Sequence, residues 1–170
     1  DSITTHPGPF NKLTSPTEQV VLNTIKDLEI HGQVFDLMGL PRTPYAKINI
    51  HVGAHYNDKE LAIGNFCRNF HRLSDSVQSR LTVENDDRAS LYSTKMLYDG
   101  VSSRIGIPIV FDSHHHELGP QDVSYKEAFY MARETWQKRG VKQQCHHSNS
   151  KKLYEDSSVR ASAHSDWYYT

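Results

Sequence analysis

Asp112-Ser-His-His-His116 puts one carboxylate and three imidazoles directly after the apolar run Ile107-Pro-Ile-Val-Phe111. Carboxylate oxygen and neutral imidazole nitrogen are the donors that hold divalent transition metals. The same chemistry recurs where other strand-like runs end. His6 follows Ser2-Ile-Thr-Thr5, His51 closes Lys47-Ile-Asn-Ile-His51, Glu84 closes Arg80-Leu-Thr-Val-Glu84, and His146 closes Val141-Lys-Gln-Gln-Cys-His146. Any one of these is ordinarily a polar turn or a hydrogen-bonded histidine. Together His6, His51, Glu84, Asp112 and His146 form a candidate ligand ring, with His115 just beyond Asp112. Glu84 is suited to bridging two metals, because one carboxylate offers an oxygen to each. His164 is a further candidate, in a polar tail that the sequence assigns to no element. His147 would point away from the ring if its strand continued. His31, His55, His71, His114 and His116 read as surface residues or as supports behind the ligands. Cys145 reads as wall packing and Cys67 as helix core.

These side chains meet only if their strands are parallel neighbours. The run at 107–111 suits a buried strand of a parallel sheet. Ser15-Pro-Thr-Glu18 reads as a capping box. It opens a helix with Val21, Ile25, Leu28 and Phe35 on one face, closed by Gly39 and Pro41. Asn57 or Asp58 caps a second helix carrying Leu61, Ala62, Phe66 and Phe70. A third, over 92–104, turns Met96, Leu97 and Val101 inward and stops at Gly106. Ser124-Tyr-Lys-Glu127 is another capping box, for a helix with Ala128, Phe129, Ala132 and Trp136 that stops at Gly140. Strand and helix thus alternate along the chain, which predicts an α/β fold with a parallel sheet. An open doubly wound sheet and a (β/α)8 barrel both fit that alternation. Ligands at every carboxyl-terminal strand end favour the barrel, whose active sites lie at that mouth. A full TIM-type barrel takes about 250 residues, so this chain is expected to be a fragment covering about five or six of eight units. A single partial-barrel domain over 1–170 is predicted.

Net charge is −1 over 170 residues, with 23% charged and 36% hydrophobic side chains. The isoelectric point near 6.9 gives no bulk basic signal for nucleic acid, although local patches still bind phosphate. Eleven histidines are many for this length. Two cysteines far apart, with no CxxC, point to a reducing, intracellular setting. No apolar run is long enough to cross a membrane. The chain opens on Asp1-Ser-Ile-Thr-Thr-His, with no initiator Met and no signal peptide, which again suggests a fragment.

His6-Pro-Gly, Ser15-Pro, His51-Val-Gly with Tyr56-x-Asp58-Lys59, Arg80-Leu-x-x-Glu84-Asn-Asp-Asp87, Pro108-x-Val-Phe-Asp112-x-His-His-His116 and His164-x-Asp166 together resemble the ultraviolet damage endonuclease family. The Glu-Asn-Asp-Asp and Phe-Asp-x-His-His-His segments are the specific ones. The resemblance implies a barrel enzyme that nicks double-stranded DNA immediately 5′ to ultraviolet photoproducts with a divalent metal cluster. Manganese is the expected metal, with magnesium, zinc and cobalt as alternatives. It implies that His6, His51 and Glu84 hold one metal, that Glu84, Asp112 and His146 hold a second, and that His115 and His164, with Asp166 as a further candidate, serve a third. Glu84, Asp112 and His146 would be the catalytic set, and Phe10, Tyr56 and Lys59 the DNA contacts. A monomer is expected, cytoplasmic in a prokaryote or nuclear in a fungus.

Two positions depart from the family pattern. Pro9 stands where the family usually has a Gln that probes the lesion. Gln144 stands where the family usually has a Lys resembling a carbamylation site, and an amide cannot carry a carbamate. The family's last acidic ligand, from a late strand, is also missing. The fragment is therefore expected to be weak or inactive as a nuclease. A xylose isomerase-like two-metal barrel is the alternative enzyme, and a non-catalytic relative that keeps the ring is the third reading. The isomerase would want tryptophans at the mouth, and Trp136 lies on a helix away from it.

Overall fold

The computed structural model describes residues 2–169, so Asp1 lies outside it. Strands β1 (Ile3–Thr5), β2 (Ala46–His51), β3 (Leu81–Glu84), β4 (Ile109–Asp112) and β5 (Cys145–His146) form one sheet in the order β1-β2-β3-β4-β5. Every pairing is parallel. Sequential order has no reversal point, which a doubly wound sheet requires. The sheet curls instead into a five-stranded half-barrel. Its curl brings the two edge strands within reach across the interior, where Ser2 Oγ donates to Gln144 Oε1 at 2.8 Å.

Alternation along each strand separates two environments. Ile48, Ile50, Leu81, Val83, Ile109 and Phe111 point outward into the core with the helices. Lys47, Asn49, Thr82, Glu84 and Asp112 take the other face and are also buried. Apart from Val110 on β4 the buried inner face is polar, and its top layer holds the predicted ligands.

Helices cover the outer face. α1 (Glu18–Leu37) buries Val21, Leu28 and Phe35 as the 3.6 period requires. Its N-cap is Thr17, without a side-chain cap bond, not Ser15. Ser15 Oγ instead accepts from the Thr17 N–H at 3.1 Å and shapes the turn before the helix. α2 (Lys59–Phe70) is capped by Asp58, which accepts from the Leu61 N–H. Leu61 itself faces solvent, whereas Ala62, Phe66 and Phe70 are buried. The short helix α3 (Asp75–Gln78) was not predicted. It packs on α1 at Gly32, where a Cβ would stand 2.8 Å from Val77 Cγ2.

The expected helix over 92–104 is three pieces: α4 (Thr94–Leu97), a π-helical turn (Tyr98–Ser102) and α5 (Ser103–Ile105). α6 (Ser113–Leu118) follows β4 without a loop, and α7 (Tyr125–Gln137) opens on the predicted Ser124–Glu127 capping box. The short helix α8 (Lys151–Tyr154) lies in the tail.

The predicted strand over 141–146 shrinks to Cys145–His146. The cause lies in α7. Its Thr135 Oγ1 accepts from the Ile109 N–H at 2.9 Å, and its Trp136 Nε1 donates to the Ile109 carbonyl at 2.7 Å. These side chains take the backbone groups that a longer β5 would pair with. Cys145 is consequently exposed at the edge rather than packed, while Cys67 is buried as expected.

Candidate metal centre

Four of the predicted ligands end strands, and the parallel register aligns them: His51 pairs with Glu84, and Asp112 with His146. With His6, His115 and His164 they line one cavity of about 250 Å³. Two groups of ligand atoms lie within 4.8 Å of one another, His6 with His51 and Glu84, and Glu84 with Asp112 and His146. Glu84 belongs to both.

Glu84 is 2% exposed, and every cation-capable group facing it is an imidazole. Its Oε2 lies 3.1 Å from His146 Nδ1 and 3.7 Å from His6 Nε2, and its Oε1 lies 3.4 Å from His115 Nδ1. Burial alone would push its carboxyl up, but the contacts with His146 and His6 and the charge of His51 outweigh burial. The carboxyl is held well below the usual carboxylate range. Asn49 Nδ2 donates to Glu84 Oε2 and in turn accepts from Thr82 Oγ1 at 2.9 Å, which fixes the carboxylate from beneath.

His146 is raised by its contact with Glu84, against the opposing effect of burial. Burial pushes His51 down, but Asp86, Glu84 and Asp87 outweigh it, and the net direction is up. His51 Nδ1 lies 3.1 Å from Asp86 Oδ1, close enough for an ion pair but not aligned as a hydrogen bond.

Backbone partners assign two tautomers. His115 Nδ1 faces the Asn85 carbonyl at 2.9 Å, and His6 Nδ1 faces the Pro7 carbonyl at 3.3 Å. A carbonyl only accepts, so in each neutral ring Nδ1 carries the hydrogen and Nε2 keeps a lone pair. Nε2 of each ring then faces the cavity: His6 Nε2 toward Glu84 Oε2, 3.7 Å away, and His115 Nε2 toward His164 Nε2, 3.3 Å away. Convergent lone pairs and carboxylate oxygens, with the far ring nitrogen fixed by a carbonyl, are what a divalent cation needs. The donor set fits such a group.

Asp112 is held by its neighbours as well as by its strand. Its N–H donates to Asn85 Oδ1 at 2.9 Å, and Asn85 Nδ2 donates back to its carbonyl at 3.0 Å. Its Oδ1 accepts from the His115 N–H at 2.8 Å, which makes it the N-cap of α6.

Other predicted positions fall elsewhere. Asp166 does not line the cavity and pairs with Lys151 at 2.6 Å. His114 and His116 are buried in α6, which excludes the surface reading and leaves that of supports behind the ligands. His147 lines the cavity after all, because the chain leaves the strand direction at His146, and its Nδ1 meets Ser113 Oγ at 2.8 Å. Phe10 and Tyr56 border a separate open groove of about 600 Å³, and Phe10 is 86% exposed. Lys59 donates to the Leu91 carbonyl at 2.7 Å and lines neither cavity. Asn49 and Ser148 were missed, and Asn85 and Asp86 were quoted in the Glu84-Asn-Asp-Asp87 segment without a role. Asn49 was within reach, since alternation puts it on the same face as His51.

A curled parallel α/β sheet with an imidazole and carboxylate cluster at its carboxyl-terminal edge defines the class of protein. Residues 2–167 match the family described as UV-endonuclease UvdE, and the chain belongs to that family. It is similar to the UV DNA damage endonuclease of Bacillus velezensis, at 36% identity over 93% of this chain and 47% of that protein. It is similar to the UV-damage endonuclease of Schizosaccharomyces pombe, at 34% identity over 96% of this chain and 28% of that protein. The crystal structure of SacUVDE superposes with a TM-score of 0.85 at 31% identity, over 99% of this chain and 53% of that one. The chain thus spans about half, or less, of the proteins it matches. No helix among the described residues is long and apolar enough to cross a membrane.

Proposed function

We propose that this chain supplies the metal-cluster half of a TIM-barrel endonuclease that hydrolyses double-stranded DNA immediately 5′ to ultraviolet photoproducts. Family membership supports the substrate class. The observation that carries the reading is the sharing of the buried Glu84 carboxylate between two sets of ligand atoms.

In this reading His6, His51 and Glu84 hold one cation, Glu84, Asp112 and His146 a second, and His115 with His164 a third. Nitrogen and oxygen donors suit manganese, with magnesium, zinc or cobalt as alternatives. Bound cations would supply charge stabilisation on the phosphoryl oxygens and a lowered pKa for water. The chain's own part is positional. Asn49 aims the Glu84 carboxylate, Asn85 brackets the Asp112 backbone, and the Asn85 carbonyl keeps the His115 Nε2 toward the cavity. Phe10 and Tyr56 offer flat faces to bases beside the cut. Lys59, anchored on Leu91, retains further N–H groups for a phosphate. The active species is a monomer.

The test is nicking of irradiated plasmid with manganese. The chain should nick irradiated DNA faster than unirradiated DNA, slowly in view of Pro9 and Gln144, and Glu84→Gln or chelator should abolish the difference. Equal nicking of both plasmids, or a rate unchanged in Glu84→Gln, would refute the reading.

A further inference from the structure

After β5 the tail runs out and comes back past the cavity. One antiparallel bridge, Ser150 to His164, closes it. That turn brings Tyr168 against His147, and two ring stacks form in the tail. Tyr168 lies on His147 with centroids 6.0 Å apart and planes 4° from parallel, and His147 itself lines the cavity. Tyr154 lies on Tyr169 at 4.9 Å and 10°. Trp167 and Tyr168 are nonetheless 72% and 76% exposed.

Exposed rings on a loose tail would carry no argument, but this tail is fastened. The N–H groups of Asp166 and Trp167 both donate to Glu155 Oε1, at 2.8 and 3.2 Å. Ser165 Oγ donates to the Trp167 carbonyl at 2.7 Å. Asn149 brackets the Tyr169 backbone with two bonds of 2.7 Å. The segment is therefore ordered before anything binds, and the ordering cost that a flexible aromatic would add to binding is already met. One face of Tyr168 rests on His147, so its other face is available to a flat partner.

We propose that Trp167 and Tyr168 form a stacking platform for nucleobases of the strand whose phosphate enters the cluster. The inference rests on the endonuclease reading for the identity of that strand. Two observations favour a nucleobase. Tyr168 meets the cavity through His147, and Trp167 is its exposed chain neighbour, so a polymer with a phosphate in the cavity can carry its neighbouring bases onto this segment. Single-strand-binding proteins build such platforms from aromatic faces, without needing base-specific hydrogen bonds. The platform also complements Phe10. That residue follows β1, one edge of the sheet, whereas Trp167 follows β5, the other edge.

The experiment is titration of the metal-free chain with a short oligothymidylate, read by tryptophan emission. Trp136 is fully buried, so emission changes on binding report on Trp167. Binding should quench the emission, and Trp167→Ala and Tyr168→Ala should each weaken affinity about 5- to 30-fold. Both residues are exposed, so the two variants should keep the parent's melting temperature. An abasic sugar-phosphate oligomer of equal length should bind parent and variants alike. Absence of quenching, or equal oligothymidylate affinity in all three proteins, would overturn the proposal. So would an emission change that follows protein concentration without DNA, since a second copy would then cover the rings. A chain that binds and quenches but does not nick would keep the platform and remove the hydrolytic reading. A chain that nicks with unchanged KM in both variants would do the reverse.

Discussion

His146 Nδ1 lies 3.1 Å from Glu84 Oε2, and this contact is made across the half-barrel from β5 to β3. Without metal it is an ion pair: Glu84 is depressed and His146 raised, each chiefly by the other once burial is overcome. A cation would take the place of the imidazole proton.

The first prediction concerns pH. His51 and His146 are raised above 6.5, so their contribution to metal-free stability is complete below that pH and is lost as pH rises through their folded values. Glu84 is lowered from 4.5, so its contribution is present above that pH and is lost only in stronger acid. Metal binding must displace the imidazole protons. The rise in Tm caused by manganese should therefore grow as pH rises from 6.5 through the raised folded values of these imidazoles. A manganese effect that does not change with pH would contradict the proton exchange.

Asn49 tests the support beneath Glu84. Its amide donates to Oε2 and is itself oriented by Thr82. Asn49→Ala should leave the ligands in place but weaken manganese affinity about 10- to 100-fold, the usual effect of removing such a partner. Calorimetric titration gives the number, and affinity within twofold of the parent would remove Asn49 from the account.

Gly119 tests the seat of α6. A Cβ there would stand 2.5 Å from the Asp86 carbonyl oxygen and 3.0 Å from that of His115. Both are backbone atoms, so neither a rotamer change nor a flexible tip relieves the clash. Gly119→Ala should cost about 1–3 kcal/mol in urea unfolding. It should also weaken metal binding, because α6 carries His115. Unchanged stability and affinity would show that the α6 seat has more slack than the distances allow.

Arg80 tests the scaffold away from the site. It is fully buried and donates to Asp36 Oδ1 at 2.7 Å, Ser76 Oγ at 2.6 Å and the Leu40 carbonyl at 2.7 Å, which ties the end of α1 to α3. Hydrogen bonds from Arg42 and Arg80 hold the Asp36 carboxyl well below the usual carboxylate range. Arg80→Met keeps the bulk and strands these acceptors, so it should destabilise by about 3 kcal/mol. Metal affinity of the folded protein should be unchanged. A large loss of affinity at native stability would mean that the two regions are coupled.

The sequence made the ligand ring legible because period-two alternation and register are local properties. Lys47-Ile-Asn-Ile-His51 announces its own two faces, and Ser124-Tyr-Lys-Glu127 its own helix start. What escaped was decided by distant contacts. β5 is short because Thr135 and Trp136 occupy the Ile109 backbone, a competition invisible from 141–146 alone. His147 reaches the cavity because the strand stops one residue earlier. His164 is placed by the bridge to Ser150 and by Ser148 Oγ at 2.6 Å from its Nδ1, contacts made across the tail. Asp112 serves both as ligand candidate and as the N-cap of α6, so the three histidines after it lie on a helix.

The most direct measurement is electron paramagnetic resonance of manganese bound to the chain and to Glu84→Gln. If Glu84 joins two cations, the parent should give an exchange-coupled signal, and Glu84→Gln should return the spectrum of isolated manganese. A parent spectrum of isolated ions, unaltered by the substitution, would contradict a shared carboxylate.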